Sequence, residues 1–212
     1  MFNKKTVIEK IRPAESPNLG LLLGIGFFIF IILHFSVFMG RHLASTHYPK
    51  INKLETVKFD ITLLHLQIEE GAVLVDSTFN NPHILETKQF VNNLLSSSWE
   101  DYFLPLATAK QQKDIKALLQ KISKFNALLK SYKYTPEYKI KYDASYFDLV
   151  ISIKKLQEDL QKAYLKQTNI LHSIHKINLL LFLIYIAFVL YIAKRYNRLI
   201  KTFIKTQEDR LR

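Results

Sequence analysis

Two long apolar segments constrain this chain more than any other feature. They are LGLLLGIGFFIFIILHFSVFMG at residues 19–40 and INLLLFLIYIAFVLYIA at residues 177–193. A helix rises about 1.5 Å per residue, so about 20 apolar residues cross a hydrocarbon core of about 30 Å. We therefore expect two transmembrane helices. The first is an uncleaved signal anchor, because it is too long for a signal-peptide core and no small-residue cleavage site follows it.

The charges that flank these segments predict their orientation. Four basic and two acidic residues precede the first segment, and seven basic and two acidic residues follow the second. Cytoplasmic flanks carry the excess of Lys and Arg, so both termini are expected in the cytoplasm. The predicted domains are a cytoplasmic tail, a first span, a periplasmic or external region, a second span and a cytoplasmic transmission-helix stub: 1–18, 19–40, 41–176, 177–193 and 194–212.

The composition narrows the possible functions. The net charge of +12 would suit nucleic acid, but eleven of the 30 basic residues lie at the two chain ends beside the apolar segments. That placement is typical of membrane topology signals, so we expect the lipid bilayer and no nucleic acid as a partner. Cysteine is absent, which excludes disulfides, thiolate nucleophiles, zinc–thiolate sites and iron–sulfur clusters.

The region between the spans has the pattern of four helices. Four prolines divide it: Pro49, Pro82, Pro105 and Pro136. Each part has apolar residues at alternating steps of three and four, in stripes at 54–75, 84–98, 115–132 and 142–177. Such stripes predict one buried face per helix, and no part sustains the alternation of a strand. We expect an all-α fold, a membrane-anchored antiparallel four-helix bundle whose first and last helices continue into the two transmembrane helices.

This order of elements resembles bacterial two-span sensors, namely chemoreceptors, sensor histidine kinases and diguanylate cyclases with four-helix-bundle input domains. The stretch KFNALLKSYKYTPEY at residues 124–138 is also similar to the double all-helical ligand-binding variety. The resemblance implies a homodimeric sensory module. Such a module detects a small molecule or a periplasmic protein and signals to a cytoplasmic kinase, cyclase or chemotaxis protein.

The chain also departs from these sensors. It has no methylation hairpin, phosphoacceptor-histidine motif, nucleotide-binding glycine box or cyclase signature, and its last segment is too short for a complete HAMP linker. We therefore expect the output domain to lie on another chain or to have been lost. With no catalytic motif, the chain is predicted to be no enzyme and to need no cofactor. Two alternatives remain open: a non-catalytic envelope scaffold or docking protein, and a membrane haem or metal carrier.

The metal alternative depends on four histidines near the outer membrane surface. His42 and His47 follow the first span, and His172 and His175 precede the second. Clustered imidazoles bind metal or haem, or titrate near neutral pH. However, positions five apart in an α-helix diverge, and interfacial histidines also extend toward lipid headgroups.

Aromatic residues are the candidates for ligand binding. They are Trp99, Tyr138, Tyr142 and Tyr146. Tyrosine combines an apolar face with a polar tip, as pockets between helices often require. Ordinary core packing is the alternative interpretation.

Two further sets are assigned to packing and to signal transmission. Gly20 and Gly24 form a G-x-x-x-G pattern that favours close helix contact, and His34 is an ionisable residue within the first span. Residues of the last stripe and of the final basic helix are predicted to carry the signal: Ile174, Ile177, Ile200, Ile204 and Leu211. The final helix has the spacing of a seam that pairs with itself or with another protein.

Overall fold

The fold is entirely helical in the part of the chain that the computed structural model describes, residues 19–71, 81–96, 100–131 and 135–211. The helices are α1 (Leu19–His42), α2 (Tyr48–Glu69), α3 (Pro82–Asn93), α4 (Ala109–Lys130) and α5 (Pro136–Leu211). A π-helical segment, Leu43–His47, joins α1 directly to α2, and a short 3-10 helix, Glu100–Tyr102, lies between α3 and α4. These described residues contain no strand, so the all-α prediction is confirmed. The predicted tail at 1–18 lies outside them.

The chain divides into two compact units. The terminal unit is Met1–Val37 with His172–Arg212, and the central unit is Phe38–Leu171. Helix α5 contributes residues to both units because it extends from Pro136 to Leu211.

A single hydrophobic core fills the central unit, and α2, α3, α4 and α5 all contribute to it. The stripes that the sequence predicts supply its buried residues, among them Leu54, Leu64, Val91, Leu118, Phe125, Leu149 and Leu160. Full burial of one such aliphatic side chain stabilises a fold by about 1.5–3 kcal/mol. Apolar periodicity therefore predicted the buried face of each of these helices.

Polar contacts within the central unit give the helix directions. Gln111 Nε2 donates to the carbonyl of Asp159 at 2.8 Å, and Lys121 Nζ contacts Asp148 Oδ1 at 2.6 Å. Because the partners on α5 come in reverse order, α4 and α5 are antiparallel. The same reversal relates α2 to α5 through two further contacts: Tyr146 with Thr62, and Lys139 with Glu69.

Two helices of the central unit are shorter than the sequence predicted. Helix α2 ends at Glu69, and Gly71 follows with φ of +68°, a left-handed conformation that suits glycine and ends helices. The predicted stripe continued to Val75, which lies outside the described residues. Helix α3 ends at Asn93, before the end of the predicted stripe at position 98.

The terminal unit contains the apolar parts of α1 and α5. Both helical runs, Gly20–Glu69 and Pro136–Thr206, are long and apolar enough to cross a membrane, with 18-residue windows of mean hydropathy 2.6 and 2.2. Most of their apolar side chains are exposed, since only 6% of each window is buried. Exposure of this kind suits contact with lipid better than contact with water.

Candidate functional site

The first candidate site is a cluster of His42, His47 and Asp101 in the central unit, here called the His–Asp cluster. The two histidines flank and end the π-helical segment Leu43–His47. In an α-helix of 3.6 residues per turn, positions five apart point about 140° away from each other. The wider π turn, with its i to i+5 hydrogen bonds, brings the two rings to 4.9 Å between centroids. The expectation that these histidines diverge was therefore wrong.

Asp101 completes this cluster from the 3-10 helix Glu100–Tyr102. Its Oδ1 lies 2.7 Å from His47 Nε2 and 3.3 Å from His42 Nε2. The side chains are 5% exposed for Asp101, 1% for His47 and 10% for His42. The cluster therefore ties the connection between α3 and α4 to the start of α2 through buried polar groups.

Burial governs the protonation of His47. Desolvation lowers the pKa of His47 below its usual 6.5, and the hydrogen bond and charge of Asp101 oppose that shift. The neutral imidazole is thus favoured, with its Nε2–H donating to the carboxylate. Its Nδ1 then has only a lone pair, and this buried atom has no hydrogen-bond partner in the part of the chain that the structure describes.

The second candidate site surrounds His65 and is here called the aromatic–histidine cluster. The ring of His65 stacks on Tyr146 at 3.8 Å between centroids with an interplanar angle of 5°, and on Tyr142 at 5.2 Å. His65 also forms a group with Glu69 and Asp143 whose ligand atoms lie within 4.8 Å of one another. The imidazole of His65 therefore stacks on two tyrosine rings and lies near two carboxylates.

The charges around His65 partly cancel. Desolvation lowers the pKa of His65, Glu69 and Asp143 oppose the shift, and the cation of Lys139 adds to it. Lys139 Nζ also pairs with Glu69 Oε2 at 2.6 Å. The neutral form of His65 is therefore favoured at neutral pH. Its buried Nδ1 has no hydrogen-bond partner among the described residues.

The predicted aromatic ligand-binding residues have different locations. Tyr142 and Tyr146 are buried in the core at 0% and 7% exposure and contact His65, so the structure brings these two together. Tyr138 donates a hydrogen bond to the carbonyl of Leu128 at 3.0 Å. Trp99 lies outside the described residues. The two buried tyrosines belong to the hydrophobic core of the central unit.

The other predicted histidines lie in the terminal unit. His175 Nδ1 is 3.2 Å from Ser36 Oγ, and His172 is exposed. His34 is exposed as well and stacks on Phe30 with centroids 6.2 Å apart. In the first apolar segment, Ser36 therefore makes a polar side-chain contact with α5.

Close packing in the terminal unit involves a different glycine from those predicted. A Cβ added at Gly24 would meet nothing within 4 Å, whereas one at Gly26 would overlap the phenol ring of Tyr185. Tyr185 Oη also donates to the carbonyl of Leu22 at 2.9 Å. Gly20 is exposed. The contact between the two apolar segments therefore depends on Gly26, and Gly24 faces away from it.

The residues assigned to transmission are exposed. Ile174 and Ile177 are 42% and 59% exposed, and Ile200 and Ile204 are both 52% exposed. The side chain of Leu211 lies outside the described part of the chain. On α5 within the terminal unit, the more buried face is formed by neighbours of the predicted residues: His175, Asn178, Phe182 and Tyr185. The stripe predicted beyond Leu160 therefore differs from the observed burial.

Sequence reasoning missed Asp101 and His65. Asp101 lies in the short 3-10 helix Glu100–Tyr102, where the sequence has no apolar periodicity. His65 had a usable signal, since it lies beside the buried Leu64 and Ile68 and four residues before Glu69 on one helix face.

The comparisons with known proteins are uniformly negative. No family model, curated protein or solved structure matches the chain.

Proposed function

We propose that this protein is a membrane-bound sensory input module. In this proposal the two apolar helices cross the inner membrane of a bacterium and both termini are cytoplasmic. The central unit is an antiparallel four-helix bundle in the periplasm that detects a signal. The signal leaves through the second transmembrane helix to a cytoplasmic kinase, cyclase or chemotaxis protein, as the resemblance to two-span sensors implies.

One observation carries the proposal: helix α5 continues without interruption from the central unit into the terminal unit. Its residues Tyr142 to Leu160 contribute to the core of the central unit. Farther along the same helix, Tyr185 packs against α1 in the terminal unit. A helix packed at both ends responds as one element when its packing changes, since packed interfaces shift between discrete arrangements.

The shared core supports the bundle. Four helices contribute buried residues to it, and α5 is antiparallel to both α2 and α4. The two flanks with excess basic charge support the proposed orientation.

Exposed apolar residues on the final part of α5 support homodimerisation. Ile200 and Ile204 lie four residues apart on one face, and both are half exposed in the single chain. A second copy of the same helix would cover that face, as in a two-stranded coiled coil.

Disulfide cross-linking tests this function directly, because the native chain has no cysteine. Ile200→Cys is compared with the matched control Thr202→Cys, which lies about 200° away around the same helix. Membranes are oxidised with and without the low-molecular-weight fraction of the growth medium. If the chain is a sensor, cross-linking should be faster at position 200 than at position 202, and the rate at position 200 should change with the added fraction. If the rate at position 200 is faster but does not change with the fraction, the result favours a scaffold. Equal rates at both positions would contradict the dimer.

A further inference from the structure

We propose that His42, His47 and Asp101 bind a divalent transition-metal ion, with Zn²⁺ the best match. The proposal concerns metal binding itself and holds whether or not the chain transmits a signal. It extends the sequence-based interest in His42 and His47 by adding Asp101 and by separating these two histidines from His172 and His175.

The donor set suits such an ion. Two imidazole nitrogens and one carboxylate oxygen form a common protein ligand set for zinc that leaves a fourth position for water or another ligand. Imidazole donors also suit Cu²⁺ and Ni²⁺, whereas Mg²⁺ and Ca²⁺ prefer oxygen ligands alone.

The distances fit a tetrahedral site after a small adjustment. The three ligand atoms lie within 4.8 Å of one another. Around an ion with bonds of about 2.0–2.1 Å, tetrahedral ligand atoms are about 3.4 Å apart. His42 Nε2 and Asp101 Oδ1 are already 3.3 Å apart. The 2.7 Å hydrogen bond from His47 has to open by about 0.7 Å as the ion replaces its proton.

The surroundings argue for a constructed site rather than a chance surface group. All three side chains are at least nine-tenths buried, and they come from two separate parts of the chain. Burying a carboxylate costs free energy unless the carboxylate is paired or coordinates a metal ion. A divalent ion would place positive charge directly beside the buried carboxylate of Asp101.

The π turn provides a second, independent observation. It interrupts the regular hydrogen-bond pattern of an α-helix, and such turns occur frequently at functional sites. Here its effect is to place the imidazoles of His42 and His47 on the same side, facing Asp101.

The aromatic–histidine cluster is a poorer match and therefore serves as an internal control. Its Glu69 is engaged by Lys139 at 2.6 Å. A cation beside the carboxylate opposes the binding of a metal ion.

The test uses the full chain in lipid nanodiscs, stripped with EDTA and titrated with Co²⁺ and then Zn²⁺. We expect one ion per chain, with visible Co²⁺ ligand-field bands that Zn²⁺ abolishes. Asp101→Asn and His47→Gln should each weaken binding by at least about tenfold, the scale of losses seen even for residues outside the ligand set. His172→Gln and Asp143→Asn, which alter the terminal unit and the aromatic–histidine cluster, should leave affinity and stoichiometry unchanged.

Far-UV circular dichroism of each variant shows whether its helices have formed. If either buried variant loses helicity, His42→Gln, at the most exposed of the three positions, takes its place in the comparison. Absence of stoichiometric binding would overturn the proposal. So would binding that persists in the cluster variants, or binding lost only in Asp143→Asn. Any of these results would leave the cluster as a hydrogen-bonded link between the connection and the helix.

Discussion

The phenol ring of Tyr185 lies directly against Gly26, in the space that any side chain at position 26 would need. The hydroxyl of the same tyrosine donates to the carbonyl of Leu22 at 2.9 Å, one turn earlier on α1. At this point the two apolar helices therefore contact each other through a glycine, an aromatic ring and a backbone carbonyl.

Gly26→Ala should destabilise this helix pair. The added methyl group displaces the phenol ring, and overpacking of this kind typically costs about 1–3 kcal/mol. Thermal unfolding in detergent, followed by circular dichroism, measures the loss. Gly24→Ala is the matched control, because a Cβ there meets nothing within 4 Å. Equal melting temperatures for the two variants would contradict the observed contact.

The register of α5 against α1 can be tested with paired cysteines. Ser36 Oγ lies 3.2 Å from His175 Nδ1, so Ser36→Cys with His175→Cys should form an intramolecular disulfide readily. Ser36→Cys with Ile174→Cys should not, because Ile174 is 42% exposed on another face. Mobility on non-reducing gels reports the outcome. Preferential bridging through position 174 would restore the stripe that the sequence predicted.

Gln111 should contribute more to stability than other glutamines of α4. It is 7% exposed, its Oε1 accepts from the backbone N–H of Thr108 in a capping box, and its Nε2 donates to the carbonyl of Asp159. Gln111→Ala removes both of these side-chain hydrogen bonds, each of which contributes about 0.5–1.5 kcal/mol. Urea unfolding measures it against Gln120→Ala, an exposed glutamine of the same helix. The account is contradicted if both substitutions cost the same.

Stability should fall below about pH 6.5 in part because of His65. Burial lowers the pKa of its imidazole from 6.5, even though Glu69 and Asp143 oppose the shift and Lys139 adds to it. The unfolded chain therefore binds this proton more readily than the folded chain does. The contribution is complete above pH 6.5 and is lost as the pH falls toward the lowered value.

His65→Phe isolates this contribution, because phenylalanine preserves the ring stacked on Tyr146 but does not titrate. The difference in melting temperature between pH 7.5 and 5.5, measured in EDTA, should be smaller in this variant than in the native chain. His47, whose pKa is also lowered, remains in both proteins and so cancels in the comparison. An unchanged difference would mean that folding does not shift the pKa of His65 and would contradict the account.

Periodicity predicted the core because burial acts on each helix face along its whole length. The positions from Leu54 to Ile68, from Ile115 to Leu129 and from Tyr142 to Leu160 are buried as their spacing indicates. Beyond Leu160 the pattern became ambiguous, because a helix in an apolar segment has apolar residues on every face. The residues of the observed contact face, such as Asn178 and Tyr185, are partly polar and were not distinguishable by hydropathy.

The candidate site was harder to predict because it depends on departures from regular structure. The π turn changes the angle between the side chains of His42 and His47. The spacing of an α-helix predicts that these side chains diverge, whereas their rings lie close together. Asp101 arrives from a 3-10 helix whose position no sequence period encodes. The contact at Gly26 was likewise not predicted, because the G-x-x-x-G pattern indicates Gly20 and Gly24 instead.

The central claim is our proposal that the central unit lies on the outer side of the cytoplasmic membrane and the end of α5 lies in the cytoplasm. Single cysteines at Lys124, exposed on α4, and at Lys201, exposed near the end of α5, test it most directly. Intact cells are treated with a membrane-impermeant maleimide, and lysed cells serve as the control for reactivity. The account predicts labelling at position 124 and protection at position 201 until lysis. Labelling at 201 with protection at 124, or the same accessibility at both positions, would contradict it.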